Sequence, residues 1–347
     1  MPNVKERPGR RALLLGSAAL AVPFIRRAGA QAPRALRFGH VHPPEGEVTR
    51  GINRAAEWLQ ERSNGRLRID NFPSSQLGAE REMLTQVSNG TLDLCITGPA
   101  VLGTWVRPIS ILEAPFLASD FDQVLRMFGH PAIQAASRQL AEGRSIRPLE
   151  PWYYGTRQLT TRDRAVRVPE DMRGLKIRFA AGAIFSEIFT AMGANPLQMS
   201  FADLQPALST GAVDGQENPV NLYLAFRMDT LAQKHLTVWN YVADAGIFLV
   251  SKQVMDSFSA ADRTLVIECA RDAARAQIAA SRKGIGVDGD RSSLEELARR
   301  GITVTTIDND QKAAFARVTR PVYDKWTQTV GVDLVRRAEA AVRGARA

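Results

Sequence analysis

From Leu36 onward, apolar positions along the chain recur with two alternating periods. Ala35 to Gly39 reads as a first strand. Ile52, Ala55, Ala56 and Leu59 then stand at i, i+3, i+4 and i+7, which places one apolar face on a helix that Asn64-Gly65 ends. Arg66 to Phe72 alternates, with Leu67 and Ile69 set against Arg66, Arg68 and Asp70, the pattern of a half-buried strand. A second helix is predicted from about Ala79 to Ser88, closing at Asn89-Gly90, and Leu92, Leu94 and Ile96 alternate again in a strand that carries Cys95. This opening series is βαβαβ, and it argues for an α/β fold.

Pro99, Pro108 and Pro115 then punctuate a stretch that reads as a rim of loops before a helix near Asp120 to Phe128. A second α/β series begins with extended chain at Pro148 to Gly155. Pro169-Glu170-Asp171 has the composition of a helix opening, with Gly174 as its stop. Leu175 to Phe179 is a predicted strand, and Ile184, Ile188 and Met192, flanked by Phe185 and Phe189, line a helix ended by Gly193. Ser200 and Asp203 have capping-box spacing for the next helix, which contains Pro206 and is expected to kink or shorten there. Ser259 and Asp262 form another such pair, before an Ala-rich stretch over 260–284 that predicts a long helix able to brace two lobes.

Composition narrows the class. With 347 residues, 45% of them hydrophobic, and only two Cys, the chain holds enough material for a large core and is neither a disulfide-stapled scaffold nor a disordered segment. Its net charge of +9 invites a nucleic-acid reading, but five of those charges fall within residues 1–32, where Lys5, Arg7, Arg10, Arg11, Arg26 and Arg27 face only Glu6. There the Arg10-Arg11 pair precedes a short apolar run from Ala12 to Phe24, and small residues follow at Ala28-Gly29-Ala30-Gln31-Ala32, the layout of an export signal. The run is shorter than the roughly 20 residues needed to span a bilayer. The arginine pair resembles a twin-arginine signal, with Gly9 where Ser or Thr is usual, and Sec export is the alternative route. The mature chain is therefore expected to be exported, periplasmic and not membrane-spanning, with no nucleic-acid partner. Cys95 and Cys269, far apart in sequence, read as two buried thiols.

Few motifs point to catalysis or a cofactor. Gly284, Gly286 and Gly289 match G-x-G-x-x-G but follow a predicted helix, where a dinucleotide site needs a strand, so they read as a helix end and loop. His40 and His42 invite a metal reading, but His130 and His235 have no ligand-like spacing to them, and polar cleft or surface histidines are expected instead. No nucleophile elbow is present in the mature chain, and no cofactor is predicted. Polar residues concentrate instead at the ends of the second series: Arg157 in Tyr154-Gly155-Thr156-Arg157-Gln158, Arg178 near the end of Gly174-Leu175-Lys176-Ile177-Arg178-Phe179, and Asn218 in Asp214-Gly215-Gln216-Glu217-Asn218-Pro219. Open α/β sheets place ligand contacts at such strand ends, and a guanidinium offers two parallel donors that fit a carboxylate.

These blocks, together with Phe72-Pro73-Ser74-Ser75-Gln76-Leu77-Gly78, Asn89-Gly90-Thr91-Leu92-Asp93 and Gly211-Ala212-Val213, resemble the solute receptors of tripartite ATP-independent periplasmic (TRAP) transporters, dicarboxylate-receptor branch. The resemblance implies a two-lobed α/β receptor, not an enzyme, with lobe I formed by 33–153 plus 244–284 and lobe II by 154–243 plus 285–347. It implies closure on an organic acid and delivery to a small and a large membrane subunit driven by sodium. It further implies that Arg178 forms the bidentate salt bridge to the ligand carboxylate, that Arg157 supports it, that Asn218 fixes the carboxylate from the other side, that Glu217 orients the arginines and that Phe201 lines the pocket. Glu80, at a helix start, is a candidate acceptor for ligand hydroxyls. The chain departs from the family pattern at Gln205, Pro206 and Tyr241, and Gly98 and Val101 stand where sialic acid receptors carry charged residues, which leaves a sugar acid, a C4-dicarboxylate or a small hydroxy or keto acid. A periplasmic enzyme acting on an acid and a ligand-presenting sensory partner are the alternatives.

Overall fold

The computed structural model describes residues 32–286 and 289–344. The export signal expected over 1–32 lies, apart from Ala32, outside the described residues.

Nine strands form one mixed sheet: β1 (Arg34–Gly39), β2 (Leu67–Phe72), β3 (Leu94–Thr97), β4 (Ile146–Thr161), β5 (Lys176–Phe179), β6 (Asn195–Gln198), β7 (Gly215–Pro219), β8 (His235–Ser251) and β9 (Thr303–Thr306). Their order is β2-β1-β3-β8-β4-β7-β5-β6, with β9 paired to β8. The two long strands set the architecture. β8 carries β3 along residues 247–250 and β9 along 235–238, while β4 runs antiparallel beside it through most of its length. β7 joins β4 only from Arg157 onward. The sheet therefore has two halves, each with parallel strands at its outer end, and β4 and β8 belong to both.

The helices are α1 (Glu47–Arg62), α2 (Glu80–Asn89), α3 (Pro99–Leu102), α4 (Phe121–Gly129), α5 (Pro131–Arg144), α6 (Ala183–Ala191), α7 (Phe201–Thr210), α8 (Val220–Ala225), α9 (Lys252–Asp256), α10 (Ala260–Ser281), α11 (Ser292–Arg299), α12 (Asn309–Val330) and α13 (Val332–Val342). The apolar stripe read from sequence on α1 is its buried face: Ile52, Ala55 and Leu59 pack with Leu36, Phe38, Trp152 and Phe248 of the sheet and with Ala270 and Ala273 of α10. Both predicted serine caps form, Ser200 Oγ accepting from the Asp203 N–H at 3.3 Å and Ser259 Oγ from the Asp262 N–H at 3.1 Å.

Several expectations shift. Pro169–Met172 is a single 3₁₀ turn and not a helix. α7 runs through Pro206 to Thr210. β3 is buried on both faces and not half-buried, because it sits inside the sheet between β1 and β8. α10 ends at Ser281, and the three glycines after it, Gly284, Gly286 and Gly289, all have positive φ, as in a helix end and loop. It packs on α1 and β4, where Gln277 acts as a surrogate strand partner: its Oε1 accepts from the Tyr153 N–H at 3.1 Å and its Nε2 donates to the Tyr153 carbonyl at 2.7 Å. Cys95 and Cys269 are both free and buried.

The register of β4 slips between Tyr153 and Gly155 and again between Arg157 and Leu159. Gly155 has φ of 124°, a conformation side chains other than hydrogen rarely adopt. At the start of β7, Gly215 has no space for a methyl group, since a Cβ there would drive into the Thr160 carbonyl oxygen and lie 3.0 Å from Ile177 Cδ1. Overpacking against backbone costs about 1–3 kcal/mol. Gly215→Ala is accordingly expected to lower stability by about that amount in urea denaturation, by loosening the pairing of β4 with β7.

Candidate ligand-binding site

All six side chains singled out from the sequence line one cavity, with Arg157, Arg178, Glu217, Asn218, Phe201 and Glu80 on its wall. Different elements deliver them. Arg178 projects near the C-terminal end of β5, whose backbone is paired on both sides, to β6 and β7. Phe201 is the first residue of α7 and Glu80 the first of α2. Arg157 lies on β4 between Glu217 and Asn218 on β7 and Asp244 on β8, because the three strands are neighbours in the sheet.

The two arginines have opposite surroundings. Arg157 is saturated by the protein. Its Nε donates to Glu217 Oε2; its Nη1 donates to Asp244 Oδ2 at 2.5 Å; its Nη2 reaches Glu217 Oε1 and the Glu217 carbonyl, both at 2.7 Å, and Asn218 Oδ1 at 3.2 Å. The Tyr241 hydroxyl donates to Glu217 as well, and Glu113 Oε1 lies 3.7 Å from Arg157 Nη1. Arg178 is 0% exposed, yet only its Nε is used, donating to the Met199 carbonyl at 3.0 Å. Both its Nη atoms are buried with no partner among the described residues. The guanidinium carbon lies 5.5 Å from the centre of the Phe201 ring, so the aromatic face supports the cation.

Electrostatics follow from this asymmetry. Burial pulls Arg178 down to about 10, with Arg157 adding repulsion and Glu217 and Glu80 opposing it, which leaves the group a cation at neutral pH. The ion pairs with Glu217 and Asp244 outweigh burial at Arg157 and hold it well above the ordinary arginine range. Burial pushes Asp244 up to about 6 against the pull of Arg157, and burial together with Asp244 raises Glu113 well above the usual carboxylate range. Burial also raises Glu80, whose Oε1 accepts from Thr97 Oγ1 at 3.0 Å.

Several wall residues were not among the sequence candidates. Glu113, Tyr154 and Asp244 line the cavity, as do Val101, Phe185 and Leu222. A signal for the two acids exists in the chain: each is a lone carboxylate inside an apolar run, Ile111-Leu112-Glu113-Ala114 and Val242-Ala243-Asp244-Ala245. His42 is on the wall too, so the cleft-histidine reading holds for it. His40 lies behind it, where Nε2 bonds Asn71 Oδ1 at 2.9 Å and Nδ1 accepts from the His42 N–H at 3.2 Å. Among the described residues no group of three or more His, Cys, Asp or Glu side chains is arranged to hold a metal, and no helix is long and apolar enough to cross a membrane.

Two outcomes test this arrangement. Arg157→Ala leaves Glu217 and Asp244 buried without their cation, a change that typically costs about 3–5 kcal/mol, and a matching fall in unfolding free energy is expected from chemical denaturation. Burial holds His40 down to about 4 from 6.5, so the folded state binds fewer protons than the unfolded chain between those values. That contribution is present above pH 6.5 and lost as pH falls through 4. Urea midpoints at pH 7 and pH 4.5 should thus drop further for the native protein than for His40→Gln.

Comparison with known proteins places this architecture. Residues 38–329 match the model of the DctP family, bacterial extracellular solute-binding protein, family 7. A solute-binding protein of Verminephrobacter eiseniae is 30% identical over 280 residues, 81% of each chain. The C4-dicarboxylate-binding periplasmic protein DctP of Rhodobacter capsulatus is 26% identical over 330 residues, covering 94% of this chain and 96% of that one. Among solved structures, a TRAP periplasmic solute-binding protein of Ralstonia eutropha with bound (S)-2-acetolactate superposes with a TM-score of 0.84 at 33% identity, over 90% of this chain and 99% of that one. A two-lobed α/β sheet, a cleft lined from both halves and a family match over most of its length agree: the chain belongs to family 7 of the bacterial extracellular solute-binding proteins, the receptors of TRAP transporters.

Proposed function

We propose that this chain is a periplasmic receptor that closes on a small organic acid, grips its carboxylate with Arg178 and delivers it to the small and large membrane subunits of a sodium-driven TRAP transporter. The observation that carries the reading is the pair of buried, unpartnered Nη atoms on Arg178, presented to a cavity from a fixed strand end. A cation held out of water without a counterion is costly, and a planar carboxylate supplies both missing acceptors at once. Relatives point to the same ligand chemistry, acetolactate in the Ralstonia eutropha structure and C4-dicarboxylates in the Rhodobacter capsulatus protein.

In this reading Arg157, Glu217 and Asn218 form the frame of the site. Arg157 locks the two β7 residues in place, leaving the Asn218 amide beside the bound carboxylate, and Phe201 and Glu80 close the cavity from α7 and α2. Lobe I comprises 33–153 plus 244–284 and lobe II 154–243 plus 285–347, with crossings on β4, on β8 and after α10. The register slips around Gly155, and the positive φ of 53° at Asn240, support a hinge in these strands. The arginine-rich leader over 1–32 supports export, by a twin-arginine-like route.

Each charge-assisted hydrogen bond contributes about 1.5–3 kcal/mol, so two from one fork supply a large part of the roughly 8 kcal/mol of a micromolar complex. Lysine keeps the charge but loses the fork. Isothermal titration with a bound acid should show affinity falling at least about tenfold in Arg178→Lys and further in Arg178→Ala. Unchanged affinity in both variants would remove Arg178 from the site.

A further inference from the structure

Beyond the arginine fork, the cavity wall holds a second group of buried polar atoms without partners. Both ring nitrogens of His42 and the Tyr154 hydroxyl have none among the described residues. The two side chains are 2% and 5% exposed and both line the cavity. They also support each other, the imidazole meeting the phenol ring edge-on with centroids 4.5 Å apart. Their positions are fixed from behind. A Cβ on Gly246 would run into the Tyr154 ring, so the ring lies flat on bare backbone, and Gln277 holds the backbone of the preceding residue, Tyr153. Buried polar groups are rarely left unpaired in a folded protein, and two preset ones on a ligand cavity point to a ligand that satisfies them.

The charge of the wall restricts that ligand. Burial and the neighbouring His40 keep His42 in its neutral form. Arg157 is used up by Glu217, Asp244 and Asn218, so among the described wall residues Arg178 is the cation left for a ligand anion. The remaining charged wall positions, Glu80, Glu113, Glu217 and Asp244, are carboxyl groups. A second ligand carboxylate would meet no counterion and several acids. A neutral hydroxyl or carbonyl, by contrast, is matched by an imidazole, which offers one donor and one acceptor, and by a phenol, which does both. Apart from Asn218, the rest of the wall is largely hydrocarbon, with Val41, Ala100, Val101, Ala181, Phe185 and Leu222 on it. A long polyol chain would leave hydroxyls facing these side chains, whereas a short branched carbon skeleton would pack on them.

Resting on the receptor reading above, we infer that the cleft selects a compact monocarboxylate whose neutral hydroxyl or oxo group is read by His42 and Tyr154 and whose branched hydrocarbon remainder packs on the apolar wall, in preference to dicarboxylates and polyhydroxylated sugar acids. His42 and Tyr154 are then specificity-determining residues, supplied by the segment after β1 and by the middle of β4.

The test is calorimetric titration of the exported chain with 2-hydroxy-3-methylbutanoate, 3-methyl-2-oxobutanoate, 3-methylbutanoate, succinate and galactonate. The hydroxy and oxo acids are expected to bind at least about tenfold more tightly than succinate or galactonate. Tyr154→Phe and His42→Phe should weaken the hydroxy acid by about three- to tenfold while leaving 3-methylbutanoate, which has no group for them to read, unchanged. Tighter binding of succinate or galactonate, lost in Arg178→Lys, would overturn the selection and leave the receptor reading intact. Equal weakening of the hydroxy acid and 3-methylbutanoate would overturn the role of the two side chains. Failure of all five acids to bind, with Arg178→Lys indistinguishable from the native protein, would overturn both.

Discussion

A guanidinium stripped of water and left with two open donors is the constraint on which the rest of the site depends. The fold carries two buried arginines in one cavity and treats them differently. Arg157 is surrounded by acceptors from β7 and β8 and becomes part of the frame, with its charge cancelled. Arg178 is anchored through one nitrogen to the Met199 carbonyl, which fixes the plane of the fork but gives it no counterion. Isolated burial of a charge is among the most expensive arrangements a protein can adopt, and an anionic guest relieves it. In the proposed receptor, the cancelled arginine makes the open one selective, because an incoming carboxylate finds a single unsatisfied cation among the described wall residues.

The sheet topology ties this electrostatic arrangement to conformational change. β4 and β8 run through both halves, so two of the crossings between them lie within paired strands. The irregular part of that crossing, from Tyr153 to Leu159, carries Tyr154 and Arg157, and the facing stretch of β8 carries Tyr241 and Asp244. In the proposed receptor the hinge adjoins the ligand wall, to which Tyr154, Arg157 and Asp244 belong. Rotation of the proposed lobes about this point would move the Arg157 network and the cavity together, whereas Arg178, on a strand held between β6 and β7, would travel with its own half.

The sequence was most legible where one face of an element is buried and the other is wet. α1 and α2 and the capped starts of α7 and α10 declared themselves through a single apolar stripe or a Ser-x-x-Asp pair, and the local physics that forms them is written in a few neighbouring residues. β8 was not legible as a strand. It is buried on both faces for most of its length, so Tyr241 to Val250 shows no alternation, and a continuous apolar run does not distinguish strand from helix. The site divided along similar lines. Arg178 and Asn218 could be proposed from polar residues at strand ends and from family blocks, but the fact that Arg157 is consumed while Arg178 is open depends on strand order, which brings Glu217 and Asp244 to the same guanidinium from distant parts of the chain. Tyr154 was hidden for a related reason: within Trp152-Tyr153-Tyr154 nothing local says which aromatic faces the cleft until the register of β4 is known.

The carboxyl groups around the cavity explain how such a site avoids repelling its own ligand. Four acids line it, and if all were ionised they would oppose an entering anion at short range in a medium of low dielectric. Glu217 and Asp244 spend their charge on Arg157, and burial pushes Glu113 and Glu80 toward their neutral forms. What remains is a cavity with one unpaired positive pole at Arg178 and neutral polar groups at His42 and Tyr154. In the proposed receptor, such a gradient would orient an asymmetric guest, carboxylate toward β5 and uncharged end toward β4. A guest charged at both ends would have to place its second anion beside carboxyl groups and, by lowering the local potential, drive them further toward protonation. In the proposed receptor, the same burial that suits the fork to one carboxylate sets the acid-lined remainder of the cavity against another, and both properties follow from removing water around a fixed set of side chains.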